Sequence, residues 1–182
     1  VLGINLEEIV ESRILPSHLR QKDKDDKLGI LDVRVLLNNK EQIDIEIQVT
    51  SSEYWAERTL FYLGKMFVDQ LKPGEDYQKL EKCIHVGILN FTLFDDEEYY
   101  SRFHFWSDQG RKMYSDKFEI HTLELPKLAK HEYPETELLK WLQFINAETK
   151  EEFEMAAEKS EYIKKAYEDL NRISADEEKR LE

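Results

Sequence analysis

Between Leu28 and Thr50 apolar and polar residues alternate with a period of two, the spacing that sends successive strand side chains to opposite faces. Ile43, Ile45, Ile47 and Val49 share one face, and Asp44, Glu46, Gln48 and Thr50 share the other. Val33, Val35 and Leu37 form a matching apolar set, leaving Asp32 on the opposite face. The intervening Asn38-Asn39-Lys40-Glu41 carries turn chemistry, because Asn tolerates left-handed backbone angles. The stretch is therefore predicted to be a β-hairpin. If its apolar sets share a face, one register sets Asp32 opposite Glu46 and a slip of two residues sets it opposite Gln48. Either register clusters Asp32, Glu46 and Gln48.

The flanking pattern predicts a mixed α/β domain. Leu2, Leu6, Ile9 and Val10 suit an amphipathic helix or its tail; Pro16 ends it, and Ile14-Leu15 suits an edge strand. Arg20 to Lys27 is a charged run with loop character. Ser51-Ser52-Glu53 offers helix-capping groups before a long helix over Tyr54 to Leu71, which Lys72-Pro73-Gly74 ends. Tyr54, Arg58, Tyr62 and Lys65 make a polar-aromatic stripe on that helix. Cys83 to Phe94 is a continuous apolar run suited to a buried strand, and Tyr99 to Trp106 and Phe118 to Leu125 alternate. The expected arrangement of these three is an antiparallel meander beside the hairpin. Pro126 to Pro134 reads as a linker, Thr136 to Phe144 as a short amphipathic helix, and the charged sequence from Thr149 as a surface helix or arm. The expected division is a core over residues 1–134 and a C-terminal helical extension over 135–182, packed on the core or on a partner.

Charge changes the picture more than composition does. The net charge is −13, with 25 acids and 18 bases up to Pro134 and 14 acids and 8 bases after it. Neither part is a basic nucleic-acid-binding arm, and an acidic chain is repelled by DNA unless a cation or a local basic patch offsets the charge. No run approaches the roughly 18 apolar residues that span a bilayer. No basic-then-apolar leader opens the chain. Cys83 is the single cysteine, so no internal disulfide forms and a cytoplasmic location is expected. The chain starts at Val1 and ends inside a charged helical pattern, which reads as a piece of a longer protein. His18, His85, His104, His121 and His131 lack paired zinc-ligand spacing.

The chemistry that stands out is Asp32 with Glu46-Ile47-Gln48. Hard divalent cations take carboxylate and carbonyl oxygens, which Asp32, Glu46 and the Ile47 carbonyl would supply from adjacent strands. Gln48 lies two residues beyond Glu46 on the same face, placed to orient a water. The plainer alternative is a half-exposed sheet with ordinary polar residues facing solvent.

The order of an Asp-bearing strand, a turn, a Glu-x-Gln strand and a long helix resembles the PD-(D/E)XK nuclease core, with Gln where Lys is usual. More specifically, LDVRVLLNNKEQIDIEIQV, RTLFY, DQLKPGEDYQKL, CIHVGILNFTLF and the tail IKKAYEDLNRISADEEKRLE resemble the PD-(D/E)XK nuclease-family transposases, or recombination-promoting nucleases. The resemblance covers Leu28 to Glu182. It implies a restriction-endonuclease-like mixed sheet flanked by helices, and magnesium-dependent endonuclease activity on DNA (manganese as the alternative ion) linked to recombination or mobile elements. By the same resemblance Asp32 and Glu46 match metal ligands and Gln48 the variant of the catalytic lysine. Arg58, Tyr62 and Lys65 are the candidate nucleic-acid contacts, and Glu7, Glu8 or Glu11 could supply a first-helix acid. The competing expectations are a catalytically silent nuclease-fold module for DNA or protein interaction, and a homodimer built through the C-terminal helices.

Overall fold

The computed structural model describes residues 6–19, 30–38 and 40–181. The expected loop at Arg20–Lys27 lies outside them, as do residues 1–5. The chain divides into two compact units, with the division between Lys127 and Leu128.

In the first unit, six strands form one mixed sheet: β1 (Ser12–Leu15), β2 (Val33–Leu37), β3 (Glu41–Gln48), β4 (Cys83–Leu89), β5 (Tyr100–Trp106) and β6 (Met113–Glu124), in the order β1-β2-β3-β4-β6-β5. The predicted hairpin is β2–β3, antiparallel, with Val33 opposite Ile45 and Val35 opposite Ile43. Continuing that register by one residue sets Asp32 opposite Glu46. Asn38 turns the chain with φ +50°, the left-handed angle expected of Asn there. Its side chain also ties down the N-terminal segment: Oδ1 accepts from the Val10 and Glu11 amides at 2.9 and 3.3 Å, and Nδ2 donates to the Glu8 carbonyl at 3.0 Å. The first-helix expectation is corrected here, since Leu6–Glu8 is a single 3-10 turn and Ser12–Leu15 is the edge strand β1. Glu8 and Glu11 thus sit at the turn end of the hairpin, about 17 Å of strand away from Asp32 at ~3.3 Å per residue.

The meander expectation is also corrected. β4 pairs in parallel with β3 on one side and with β6 on the other, and β5 lies outermost, antiparallel to β6. All seven residues of β4 are buried, which fits a parallel interior strand and explains its unbroken apolar run.

Helix α1 (Trp55–Val68) lies on one face of the sheet. Its buried residues Trp55, Thr59, Tyr62, Leu63 and Met66 recur at helical spacing. Tyr62, Leu63 and Met66 pack with Leu19, Leu31 and Cys83 in the core. Ser52 helps open α1, its Oγ accepting from the Tyr54 amide at 3.3 Å. Gly87 on β4 lets Trp55 reach the sheet, because a Cβ at Gly87 would stand 2.5 Å from Trp55 Cζ2. Gly87→Ala is therefore expected to cost about 1–3 kcal/mol by overpacking. A lowered urea midpoint checks this, and in the Gly87→Ala/Trp55→Phe double variant the losses should sum to less than the two singles.

The second unit holds α2 (Glu137–Ile145), α3 (Lys150–Ala157) and α4 (Glu161–Leu181). The single helix expected from Thr149 onwards is two, each with its own start. Thr149 caps α3 through a complete capping box with Glu152. Phe144, Ala156 and Ile163 form the unit's own buried cluster.

Candidate active site

Strand alternation placed Asp44, Glu46 and Gln48 on one face of β3, and the structure puts that face under α1. The plainer expectation of a polar face turned to solvent is thereby corrected for Asp44 and Glu46, while Asp32 is exposed as that expectation had it. Asp44 is 0% and Glu46 1% exposed, whereas Ile47 and Val49 on the other face are 51% and 67% exposed.

Each acid has a defined environment. One Glu46 oxygen, Oε1, forms an ion pair with the Arg58 guanidinium from α1. The other, Oε2, is buried without a hydrogen-bond partner. Burial raises the Glu46 pKa above the ordinary carboxylate value, with Asp44 and Asp32 adding to it and Arg58 and His85 opposing it. Asp44 lies beside His85 in the parallel β3–β4 register, and its Oδ2 is 2.7 Å from His85 Nδ1. Asp44 Oδ1, like Glu46 Oε2, has no partner. Trp55 packs against the His85 ring at 5.5 Å, and Thr59 Oγ1 lies 3.4 Å from His85 Nε2.

The sequence-predicted residues divide as follows. Asp32, exposed just before β2, accepts from the Ile47 amide through Oδ2 at 3.0 Å. That bond fixes the Asp32 carboxylate against the strand segment carrying Glu46 and Ile47. Gln48 donates through Nε2 to the Thr50 carbonyl at 2.8 Å, so its amide is anchored locally. Of the helix stripe, Arg58 reaches the acids and stands 5.4 Å over the Tyr62 ring. Tyr62 itself is buried in the core, and the Lys65 ammonium sits 5.7 Å over Phe61. Glu8 and Glu11 stand at the other end of the hairpin.

Two residues of this cluster were not singled out from sequence. Asp44 was on the acidic face and is, like Glu46, fully buried. His85 was visible as a lone polar residue inside the apolar run CIHVGIL, a pattern that calls for a buried partner; which partner depends on parallel pairing between segments some forty residues apart.

The sequence matches a family description along its full length: PD-(D/E)XK nuclease family transposase, residues 1–182. The chain belongs to this family. No curated protein and no solved structure matches it. A PD-(D/E)XK nuclease family transposase has a nuclease- or transposase-type function, and the six-stranded mixed sheet with α1 laid on it is the restriction-endonuclease-like architecture expected from the sequence. PD-(D/E)XK nucleases generally use divalent metals. The site can take one, since the buried Glu46 carries a hard carboxylate oxygen with no other partner. Among the described residues no helix is long and apolar enough to cross a membrane.

Proposed function

We propose that this PD-(D/E)XK protein is a magnesium-dependent DNA endonuclease that hydrolyses phosphodiester bonds in the service of recombination or mobile elements. The observation that carries this reading is the buried Glu46 carboxylate with one unpartnered oxygen, on the strand segment to which the Asp32 carboxylate is bound through the Ile47 amide. Asp32, Glu46 and the Ile47 carbonyl would hold the cation. When bound, it neutralises charge developing on the phosphate and lowers the pKa of a water. Manganese suits the same oxygens.

The chain's own groups do the remaining positioning. The Gln48 amide, fixed by its bond to Thr50, presents Oε1 as an acceptor that orients the attacking water. It carries no positive charge, so it cannot take over the electrostatic part of a lysine's role. Arg58 is the cation nearest the acids. Once Glu46 is engaged elsewhere, its guanidinium is free to meet a phosphate oxygen as a two-pronged donor. Lys65, two turns along α1, is a second phosphate contact. Tyr62 supports Arg58 from the core.

Asp32→Ala tests the assignment, because Asp32 is exposed and its loss leaves the packed core alone. Nicking of supercoiled plasmid in magnesium, expected of the unaltered chain, should disappear while the circular dichroism spectrum stays native; undiminished nicking in the variant would remove Asp32 from the site, and no nicking by the unaltered chain would sink the reading. A second reading, a catalytically silent module, is favoured by Gln48 in the lysine position and by the Arg58–Glu46 ion pair. A silent module shows no stabilisation when magnesium is added, whereas a ligand held by the folded state raises Tm by mass action.

A further inference from the structure

Beneath the Asp32–Glu46 pair the same face of the sheet holds a second set of donors. Asp44, Glu46 and His85 each offer a ligand atom, and these atoms all lie within 4.8 Å of one another. Neighbouring ligands around a cation with bonds of about 2.1 Å stand about 3–4 Å apart, so only a small contraction separates these residues from a coordination shell.

Two further observations point to a ligand. Asp44 and Glu46 are fully buried, and each keeps one carboxylate oxygen, Oδ1 and Oε2, with no hydrogen-bond partner. A buried ionised carboxylate is stable only when its oxygens are satisfied. Arg58 satisfies one oxygen of Glu46 and His85 Nδ1 one oxygen of Asp44, which leaves the two unpartnered oxygens on the same side of the sheet. The second observation is the orientation of His85. Nδ1 stands 2.7 Å from Asp44 Oδ2, while Nε2 lies 3.4 Å from Thr59 Oγ1, a hydroxyl able to accept the ring proton there. With the ring proton on Nε2, the Nδ1 lone pair faces the Asp44 carboxylate, and a cation between them takes the place of a shared proton while Thr59 orients the imidazole from its other nitrogen.

We infer that Asp44, Glu46 and His85 form a second cation site, sharing Glu46 with the proposed nuclease centre. Two carboxylates and one imidazole suit a borderline ion such as Mn2+ or Zn2+ better than Mg2+, which strongly prefers oxygen and near-ideal octahedral geometry. A carboxylate shared between two cations is a known arrangement for phosphoryl chemistry, with the two ions about 4 Å apart. The site rests on the proposed function only through Glu46 and does not need Asp32.

The test uses Mn2+ as the probe and counts bound ions by the electron paramagnetic resonance of free Mn2+. The Asp32→Asn variant should retain one Mn2+ per chain. Adding His85→Gln to it should remove that ion. The spin-echo spectrum of Mn2+ on the Asp32→Asn protein should also show nitrogen hyperfine coupling, a readout that does not depend on how well a His85 variant folds. The inference is overturned if Asp32→Asn binds no Mn2+, if the double variant, folded, still binds it, or if the retained ion shows no nitrogen coupling. A Mn2+ that is lost in Asp32→Asn alone leaves the nuclease proposal standing without the second site. An Asp32→Asn protein that keeps both its nitrogen-coupled Mn2+ and full nicking removes Asp32 from the nuclease centre and leaves the second site.

Discussion

Glu46→Gln should lower magnesium-dependent nicking by at least about a hundredfold while leaving Tm unchanged or slightly higher. The catalytic part follows from the proposed ligand role: charge stabilisation by a bound cation is worth several kcal/mol, and each ~1.4 kcal/mol is a factor of ten in rate. The stability part follows from the direction of the Glu46 pKa. Burial raises it in the folded state above its ordinary value of 4.5. A carboxyl group whose folded pKa is raised contributes stability below its unfolded pKa, and that contribution is lost as pH rises through the folded value. At neutral pH the ionised group therefore costs stability, and a neutral amide of the same shape removes the cost. Arg58 loses its ion-pair partner, but its side chain is 38% exposed and can turn to water. Thermal melting and single-turnover nicking on the same preparation decide the matter. Since 1 kcal/mol moves Tm by roughly 2–4 °C in a domain of this size, a larger fall would mean that Glu46 holds the fold together. Full nicking activity would remove it from the site.

The contrast between a stabilising and an inactivating effect at one residue also shows why the site was only partly legible. Alternation correctly grouped Asp44, Glu46 and Gln48 on one face, and the register found, with Val33 opposite Ile45, is one of the two that the hairpin pattern allowed. The pattern did not say which face α1 would cover. Aliphatic residues normally mark the buried face, and here Ile47 and Val49 are the exposed ones. β3 lies between β2 and β4 inside the sheet, so both of its faces were available for burial, and α1 covers the acidic one. Acids placed there cost stability, and this local inconsistency is what a functional site looks like in a sequence.

His85 illustrates the other limit. Its partner Asp44 is set by β3–β4 pairing, a parallel contact that hairpin logic does not anticipate. The same blind spot produced the meander. Strands close in sequence were expected to pair in order, whereas β6 inserts between β4 and β5. The buried character of β4 was legible because an unbroken apolar run has few alternatives. The split of the C-terminal sequence into α3 and α4 turned on a cap, Thr149 with Glu152, and on a short break before Glu161 that a charged run hides.

Glu119→Ala should destabilise the chain by about 3–5 kcal/mol, the usual cost of removing one partner from a buried ionic network. On the sheet face opposite α1, Glu119 is buried on β6 and accepts from four groups: Arg102 Nε and His121 Nε2 at 2.7 Å each, Lys82 Nζ at 2.9 Å and His104 Nε2 at 3.2 Å. With Nε2–H given to Glu119, His121 accepts the Tyr100 hydroxyl at Nδ1, 2.8 Å away. Burial alone would raise the Glu119 pKa, but hydrogen bonds and charge from Arg102 and Lys82 win and hold it at about 2. Burial lowers His121 to about 4 against the pull of Glu119. Both shifts act in one direction on acidification. The unfolded chain binds a proton at His121 from its ordinary value of 6.5 and at Glu119 from 4.5, before the folded chain does, so stability falls in two overlapping stages as pH drops. Urea unfolding from about pH 7 to about pH 3 should show both stages in the wild type. Glu119→Gln, which cannot titrate, should begin less stable and lose the lower stage while keeping the upper one. An unaltered acid limb in Glu119→Gln would place the acid sensitivity elsewhere in the fold. A neutral-pH stability equal to wild type in Glu119→Ala would show that Arg102 and Lys82 reach water freely enough to dissolve the network at no cost.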